Sequence, residues 1–419
     1  MRHTNKTSLL TLSYLLLSLL WISCSSDTDD EVAEIFEETN LGDATLNRLI
    51  ITSEEEQLVT VDPATGEARV VYEFDRFVEL VGLADYHNGT VYVATKDNAV
   101  NAIDLNSQRF RWDVPMPEYE FSALSNATTV YDDGLVYCLG YLGVVVAVEA
   151  TTGNPVWMYS VSPSGDPTDR YLSGGIPIVH GDRLYVLVED NIFGDPAYLH
   201  VLDKKTGERL GRLELPYDYS GTLAFAGNTL LLPAGNLYAL DEATLDLIWE
   251  VEFEGVSTPA VSGDKVVVHA VPSSDDNLTS FIYGLDLATG AIQWQQEAGF
   301  DRFRGPLVVG DVVFAVFEKA KQVAGIRNGR PMALRASTGE LLWRNDDINI
   351  KGWPTFANGR LYFHGYEILS DRDDGQGFMC LDAATGALVW LNEAFGYGSA
   401  IPPLVVADNG VFGPGQYAP

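Results

Sequence analysis

Side chains that could do chemistry are sparse in this sequence, and their spacing forms no familiar catalytic set. No pair of histidines has the His-x-x-x-His spacing of a metal site, and neither Gly-x-Ser-x-Gly nor Gly-x-x-x-x-Gly-Lys occurs. Three of the histidines lie in or beside predicted strands, where a single packed or exposed imidazole is commoner than a ligand. The pattern therefore predicts neither a metal centre nor a nucleophile. The histidines after residue 23 are His87, His180, His200, His269 and His364, and the three in or beside predicted strands are His180, His269 and His364.

One acidic loop has the chemistry to attract a hard cation. The segment Asp371–Gly375 (DRDDG) clusters carboxylate oxygens of the kind that calcium prefers. Its order departs from the Asp-x-Asp-x-Asp-Gly spacing of a calcium loop. The sequence therefore favours a solvated surface loop, and no metal is expected.

Aromatic and basic side chains recur just before predicted strands that start with Pro177, Pro259, Pro306, Pro354 and Pro402. Because bases are scarce in this chain, this clustering suggests a binding mouth, where rings and cations clamp a sugar, a peptide or an acidic segment. The alternative is that the rings only pack the structural units while the bases offset nearby acids. The candidate residues are Arg170, Tyr171, Tyr217, Tyr219, Arg302, Phe303, Arg304, Lys351, Trp353, Phe395 and Tyr397.

The elements that would position these residues follow from a phrase that returns eight times. A hydrophobic strand ends in Asp, a Thr-Gly turn follows, and the next strand carries Trp, as from Asp286 to Trp294. Asp accepts hydrogen bonds from backbone N–H groups two residues on, and Gly takes positive φ without strain. Spacings of 42, 45, 54, 38, 45, 49 and 47 residues mark a repeat architecture. The anchors are Asp62, Asp104, Glu149, Asp203, Asp241, Asp286, Arg335 and Asp382.

In six units Trp is the eighth residue after the anchor, and in most units a small residue precedes the anchor by two positions. This predicts that each indole fills space beside a small residue and docks neighbouring units. Val70 and Gly211 take the Trp position in the first and fourth units, which predicts looser packing there, with a loop or a partner replacing the indole. The docking residues are Trp112, Trp157, Trp249, Trp294, Trp343 and Trp390.

Each unit of roughly 45 residues has room for four short strands, as in a propeller blade. The pattern Ala-Leu-Asp-x-x-Thr-Gly-x-x-x-Trp resembles the tryptophan-docking motif of the PQQ-like β-propeller repeat family, over residues 47–412. We therefore expect an all-β, eight-bladed β-propeller of four-stranded antiparallel blades. The first unit lacks an innermost strand, so the spare C-terminal strand at Ala400–Val406 should pair into the first blade and close the ring.

The resemblance is specific for fold and not for activity, because the family includes quinoprotein dehydrogenases, envelope scaffolds and sensor domains. The dehydrogenases carry adjacent cysteines that cover the quinone. Here Cys24, Cys138 and Cys380 are far apart, and no Cys-x-x-Cys-His for covalent haem occurs. A PQQ dehydrogenase is therefore only a third hypothesis, and no cofactor is expected. Cys138 and Cys380 fall three units apart, so no disulfide is expected either.

Residues 1–23 have the form of a bacterial lipoprotein signal peptide. Arg2 and Lys6 give a basic start, and Ser8–Ile22 is an apolar run too short for a comfortable transmembrane helix. The run ends at Cys24 in a context that resembles a lipobox, which predicts lipidation of Cys24. An ordinary signal peptide followed by a chance cysteine is the alternative.

The rest of the chain divides into an acidic tether and the repeats. Residues 24–46 carry many acids and no base, which predicts disorder, and residues 47–419 form a single propeller domain. Without the signal, 24 bases and 59 acids give a net charge of −35, which argues against nucleic acid and anionic membrane surfaces as partners. Membrane attachment is therefore expected through the lipid alone, at the outer membrane, on its periplasmic face or the cell surface.

The chain resembles the lipid-anchored propellers that serve the outer-membrane β-barrel assembly machine in its lipobox, its size, its acidity and its eight repeats. The resemblance implies a monomeric, non-catalytic scaffold that binds an envelope protein. The alternative is a surface lipoprotein that captures an extracellular glycan or peptide at the aromatic mouth. Expanded links between second and third strands favour function on the face that carries them. These links are Glu189–Tyr198, Val271–Ile282, Glu318–Pro331 and Tyr366–Gly377.

Overall fold

A computed structural model shows a protein built of β-strands. In the described ranges the helical structure is a single 3-10 turn at Glu393–Phe395, and no helix there has the length and hydropathy of a membrane span. The predicted signal peptide, Cys24 and all of the predicted tether except its last residue lie outside the described residues. The structure describes residues 46–52, 57–74, 84–95, 99–116, 128–140, 143–161, 171–172, 176–190, 197–215, 222–273, 279–299, 305–318, 329–367, 376–395, 404–407 and 410–412.

The strands in chain order are β1 (Leu46–Thr52), β2 (Gln57–Val61), β3 (Ala68–Glu73), β4 (Asp85–His87), β5 (Thr90–Thr95), β6 (Ala99–Asp104), β7 (Arg109–Pro115), β8 (Thr128–Asp132), β9 (Leu135–Leu139), β10 (Val144–Glu149), β11 (Pro155–Ser160), β12 (Tyr171–Leu172), β13 (Ile178–His180), β14 (Arg183–Asp190), β15 (Ala197–Asp203), β16 (Arg209–Leu215), β17 (Ala224–Ala226), β18 (Thr229–Ala234), β19 (Asn236–Asp241), β20 (Leu247–Val251), β21 (Phe253–Val256), β22 (Ala260–Ser262), β23 (Lys265–Pro272), β24 (Ser280–Asp286), β25 (Ile292–Gly299), β26 (Leu307–Val309), β27 (Val312–Glu318), β28 (Gly329–Arg335), β29 (Leu341–Arg344), β30 (Ile348–Ala357), β31 (Arg360–Glu367), β32 (Gln376–Asp382), β33 (Leu388–Asn392), β34 (Leu404–Ala407) and β35 (Gly410–Phe412).

These strands form eight four-stranded antiparallel blades, which confirms the predicted eight-bladed propeller. We label the strands of a blade A to D from the innermost to the outermost. Blades 2, 3, 5, 7 and 8 are β4–β7, β8–β11, β17–β20, β26–β29 and β30–β33. In blades 4 and 6, two segments share the A position: β12 and β13 both pair with β14, and β21 and β22 both pair with β23.

The C-terminal strand closes the ring inside blade 1, as predicted. There β34 pairs with β1 and supplies strand A, while β1, β2 and β3 are strands B, C and D. The short strand β35 pairs with the other edge of β34 and adds a fifth strand that the repeat did not predict. Side chains of blade 8 reinforce the closure, because Asn392 Nδ2 donates to the carbonyl oxygen of Gly66 in blade 1 at 2.6 Å.

The six tryptophans join each blade to the next. Within its own blade each indole lies opposite the small residue two places before the anchor, for example Trp112 opposite Ala102. Its Nε1 donates, at 2.8–3.1 Å, to the carbonyl oxygen of the residue after the anchor of the following blade. We call this contact an indole lock. The donor and acceptor residues are Trp112–Ala150, Trp157–Lys204, Trp249–Leu287, Trp294–Ala336, Trp343–Ala383 and Trp390–Pro63.

The turn glycines that receive these indoles meet two requirements at once. Their φ angles lie between +70° and +75°, a region that residues with a Cβ rarely adopt. An added Cβ would also stand less than 3.0 Å from the docked indole. The sequence predicted the positive φ of these glycines, but it did not predict their close contact with the indole. These residues are Gly66, Gly153, Gly207, Gly290, Gly339 and Gly386.

The interface between blades 4 and 5 replaces the indole by two residues of the ring itself. Gly211 stands at the Trp position, and the next turn carries Leu245 (φ +63°) in place of Gly. The Leu245 Cδ1 atom lies 3.4 Å from where a Cβ on Gly211 would stand, so it supplies apolar volume. The carbonyl oxygen of Glu242 accepts a hydrogen bond from Arg183 Nη1 at 2.7 Å. Packing at the predicted gap therefore needs no external partner.

The first blade departs from the repeat in its strand register. In the other seven blades, strand D has a β-bulge near the C–D turn. As a result, the residue eight positions after the anchor pairs with the residue two positions before the anchor. In blade 1 the bulge lies farther from the turn, so Arg69 is opposite Thr60 and Val70 is opposite Val59. Since successive side chains point to opposite faces, Arg69 and not Val70 stands on the side where other blades carry Trp. The predicted equivalence of Val70 is therefore wrong.

The anchor carboxylates organise the turns as predicted. Asp104 Oδ1 accepts the N–H groups of Asn106 and Ser107 at 2.9 Å each. The hydrogen bond from the backbone N–H three residues after the anchor is the main cause of a lowered carboxyl pKa at four anchors. For Asp104 the pKa is lowered to about 2. The other three anchors are Asp62, Asp203 and Asp241.

Candidate interaction surfaces

One face of the ring, which we call the turn face, is formed by the A–B and C–D turns. In seven blades the N–H of the residue after the anchor donates to a carbonyl oxygen of the A–B turn at 2.8–3.1 Å. The two turns of a blade are thus tied together, which leaves a regular surface. The donor and acceptor residues are Leu105–Gly89, Ala150–Gly134, Lys204–Asp182, Glu242–Asn228, Leu287–Asp264, Ala336–Asp311 and Ala383–Gly359.

The opposite face, the link face, carries the ends of strands B and D and the starts of strands C, as antiparallel order requires. Strand B extends to eight residues in blades 4, 6 and 8. A segment of strand A pairs with each extended end, so the inner wall is raised in three alternate blades. These pairs are Tyr171–Asp190, Phe253–Pro272 and Ile348–Glu367.

Part of the predicted binding mouth lies in this raised wall. Tyr171 is in β12 of blade 4, and Lys351 and Trp353 are in β30 of blade 8. Lys351 pairs with His364, and Trp353 lies in the irregular stretch that follows, before Thr355. Phe395 ends the 3-10 turn after blade 8. Outside the described residues lie Arg170, Tyr217, Tyr219, Arg302, Phe303, Arg304, Tyr397 and the acidic loop Asp371–Gly375.

Histidines on the inner strands stack between blades. His87 stacks on Tyr131 with ring centroids 3.9 Å apart, and His180 stacks on Phe225 at 4.2 Å. His364 is buried in blade 8, with its ring centroid 5.0 Å from that of Phe378. In the described ranges no three His, Cys, Asp or Glu side chains are grouped so that they could hold a metal ion.

A serine–histidine pair in blade 6 has the hydrogen-bond geometry of a nucleophile and its base. His269 Nε2 lies 2.7 Å from Ser280 Oγ. Both residues are completely buried, the Ser280 hydroxyl donates to the carbonyl oxygen of Gly299, and the N–H of His269 donates to Ser257 Oγ. These bonds cross the blade from strand A to strand D. Because no substrate can approach a fully buried hydroxyl, the pair is a structural network.

A polar cluster at the outer rim between blades 3 and 4 was missed by sequence reasoning. The Tyr159 hydroxyl lies 3.0 Å from Nδ1 of His200, which is 1% exposed. The Arg212 guanidinium lies 3.7 Å from the Tyr198 ring centroid. Arg212 is exposed, so the cluster presents a cation over an aromatic ring at the surface. The alternation Tyr198-x-His200 on a predicted strand was the available signal.

We expect His200 to make folding stability depend on pH. Burial, reinforced by Arg212 and Arg209, lowers the pKa of His200 to about 4. The unfolded imidazole binds a proton near pH 6.5, so stability is full above that pH and falls as pH drops towards 4, by roughly 3 kcal/mol at most. Urea unfolding at pH 7 and 4.5 should show a smaller loss for His200→Gln than for the wild type or His180→Gln. Equal losses in all three proteins would contradict this assignment.

Other buried titratable groups serve the fold. Burial raises the pKa of Asp85 to about 6, although the N–H groups of Tyr86 and Tyr131 both donate to its carboxylate. Asp85 thereby joins the innermost strands of blades 2 and 3. Burial also raises the thiol pKa of Cys138 and Cys380 to about 12, and both are free. Neither cysteine is a reactive thiolate at neutral pH.

Eight four-stranded blades, closed by the C-terminal strand and joined by indole locks, define a PQQ-like β-propeller. The family model described as "Outer membrane protein assembly factor BamB" matches residues 20–191, 196–331, 282–394 and 332–412. The chain therefore belongs to the BamB family, and the predicted resemblance is confirmed.

Individual relatives in the same family match this chain at low sequence identity. BamB of Moranella endobia (strain PCIT) is 25% identical over 313 residues, 69% of this chain and 72% of the relative. BamB of Yersinia pestis is 25% identical over 330 residues, 70% of this chain and 77% of the relative.

Solved structures share the architecture. The crystal structure of BamB from Moraxella catarrhalis has a TM-score of 0.54 and 16% identity, covering 77% of this chain and 94% of that one. Quinohemoprotein alcohol dehydrogenase from Comamonas testosteroni has a TM-score of 0.58 and 15% identity, covering 79% and 71%. At these identities the likeness shows the fold alone, since it includes an assembly factor and an enzyme.

Proposed function

We propose that the protein is a non-catalytic, lipid-anchored propeller of the bacterial cell envelope that binds a protein partner during outer-membrane protein assembly. The observation that carries the proposal is the family match, which extends from residue 20 to residue 412. In this proposal the lipid on Cys24 attaches the protein to the outer membrane, on its periplasmic face or the cell surface. Residues 24–46 tether a monomeric propeller.

The link face is the proposed binding surface. The turn face is occupied by hydrogen-bonded pairs of turns, which leaves little backbone available to a partner. The link face has a raised inner wall and carries the ends of strands that flank the four expanded links. Variable segments on a rigid frame are common binding elements.

Co-purification tests the proposal. A tagged protein extracted in mild detergent is expected to bring down a component of the β-barrel assembly machinery, identified by mass spectrometry. A Cys24→Ala variant, which cannot carry the lipid, serves as the control for membrane-dependent recovery. Repeated purification of the lipidated protein without any assembly component would reject the assembly role.

The second candidate is a surface lipoprotein that binds a glycan or peptide at the mouth. The observation in its favour is that Lys351 and Trp353 share one stretch of the raised strand in blade 8. Screening with glycan and peptide arrays should then give a ligand whose affinity falls at least about tenfold in Trp353→Ala and Arg304→Ala, as loss of a buried aromatic or Arg anchor does. Unchanged binding in both variants would eliminate the mouth as the site.

A quinoprotein dehydrogenase is the third candidate, and the residues of this chain do not fit it. The resemblance implies adjacent cysteines over the quinone, whereas Cys138 and Cys380 are buried in blades 3 and 8. Titration with pyrroloquinoline quinone and calcium should therefore give neither an absorbance change nor dye reduction with alcohol substrates. A quinone-dependent dye reduction would restore the enzyme hypothesis.

A further inference from the structure

The contacts that join the blades are not equal around the ring. Six interfaces contain an indole lock, and the interface of blades 4 and 5 contains its substitute, the pair Arg183 and Leu245. Each of these seven provides a hydrogen-bond donor to the carbonyl oxygen that follows the next anchor. The remaining interface, between blades 1 and 2, is built differently.

Within the described residues, the interface of blades 1 and 2 has no such lock. Arg69 occupies the indole position, its side chain is exposed, and its guanidinium makes no hydrogen bond to the described residues. The carbonyl oxygen of Leu105, which corresponds to the acceptor of a lock, has no described donor. Gln108 stands where a docked turn has Gly, at φ +56°, and is exposed. Among the described residues, the apolar cluster that contains Ile50, Leu58, Val71, Phe74, Val91 and Ile103 joins these blades.

The interface where the chain ends meet is, by contrast, firmly held. Trp390 donates to the carbonyl oxygen of Pro63 at 3.1 Å, and Asn392 donates to that of Gly66 at 2.6 Å. Inside blade 1, β34 and β1 pair along Leu46–Ile50. Among the described residues, blade 1 therefore has side-chain hydrogen bonds of this kind to blade 8, its distant neighbour in sequence, and no indole lock to blade 2, which directly follows it.

We propose that the ring has a built-in seam between blades 1 and 2 and opens there first. Apolar contact is non-directional and permits sliding, whereas a packed indole with a buried hydrogen bond holds one geometry. Local opening starts where such directional contacts are fewest. Blade 1, which contains both chain ends of the propeller, moves with blade 8, and its outer strand β3 separates from the turn of blade 2.

The turn face provides a matched set of amides to test this seam. The N–H groups of Leu105, Ala336 and Ala383 make the same hydrogen bond to the A–B turn of their own blade, at 2.8–2.9 Å. Ala336 and Ala383 also accept an indole lock through their carbonyl oxygens, and Leu105 does not. Native-state hydrogen exchange should show the Leu105 amide exchanging at least about tenfold faster than the other two, because exchange follows local opening. Equal or slower exchange at Leu105, or faster exchange in β34, would overturn the proposal.

A lock can also be installed at the seam. The double variant Arg69→Trp, Gln108→Gly gives blades 1 and 2 the two residues that form a lock elsewhere. It should slow exchange at Leu105 towards that of Ala336 and raise Tm by roughly 1–3 °C, because the shift in Tm for a given gain in stability becomes smaller as a domain becomes larger. The control Gly211→Trp, Leu245→Gly targets an acceptor that Arg183 already uses, so no rise in Tm is expected. A rise in Tm in both double variants, or in neither, would count against a specific seam. If a double variant fails to fold, the exchange rates of the wild-type amides decide the question.

Discussion

Replacing Trp343 with Ala is expected to lower the free energy of unfolding by about 3–5 kcal/mol, as deletion of a large core aromatic does. The indole is 9% exposed, packs in the core between blades 7 and 8 beside Phe314, and donates to the carbonyl oxygen of Ala383 at 2.9 Å. The variant loses this volume and leaves the carbonyl without its donor. Denaturant titration at fixed pH measures the change.

Two variants separate the terms of this loss. Leu341→Ala lies on the same strand at 42% exposure and should cost less than about 1 kcal/mol, since an exposed side chain loses little burial. Trp343→Phe keeps an aromatic ring and removes the hydrogen bond, so an intermediate loss of roughly 1–2 kcal/mol is expected. If Trp343→Ala itself costs less than about 1 kcal/mol, the indole is not a docking element.

Replacing Gly386 with Ala is expected to cost about 2–4 kcal/mol, because it combines backbone strain with overpacking. Gly386 has φ +70°, and an added Cβ would stand within 3.0 Å of the Trp343 indole. Gly359→Ala is the matched control, since Gly359 has φ +67° and nothing within 4 Å of an added Cβ. It should cost only about 1–2 kcal/mol, the backbone term alone.

The difference between these two glycine variants isolates the contact with the indole. In a Trp343→Ala background the cost of Gly386→Ala should fall towards that of Gly359→Ala, because the obstructing ring is gone. The measurement is a double-mutant cycle by denaturant unfolding. Equal costs for Gly386→Ala and Gly359→Ala in the wild-type background would show that the lock does not constrain the turn.

Local chemistry is the reason why so much of the fold follows from sequence. An Asp that accepts N–H groups two and three residues on, a Gly with positive φ and a Trp at fixed spacing all act within about ten residues. Repetition of this phrase gives the blade number, and the incomplete first unit gives the closure by β34. The acceptor of each lock was not predictable in this way, because a backbone carbonyl oxygen carries no sequence signature.

The exceptions could not be predicted because they depend on pairing between strands. A fixed offset of eight residues selects Val70, but the shifted bulge in blade 1 puts Arg69 in the indole position. The substitute lock in blade 4 draws Arg183 from strand B and Leu245 from the next blade. Neither residue is near Gly211 in sequence. In both cases, the position of the residue in the folded ring, rather than its offset in the sequence, determines which residue takes the place of the indole.

For the candidate site, the recurrent aromatic and basic residues of the sequence predict a binding mouth, and this stays a prediction. The structure places Tyr171, Lys351 and Trp353 in raised inner strands on the link face. The rim cluster around His200 was missed because Tyr159, its hydrogen-bond partner, belongs to another blade and lies 41 positions away. Contacts between repeats are the part of a propeller that a single repeat cannot reveal.

Site-specific photo-crosslinking in cells tests whether this propeller binds an assembly partner through its link face. A photoreactive amino acid is placed at Tyr171 or Trp353 on the link face, and at the exposed Asn88 or Asn106 on the turn face. We predict crosslinks to a component of the β-barrel assembly machinery from link-face positions and none from turn-face positions. Crosslinks from the turn face alone, or to no assembly component from either face, would contradict it.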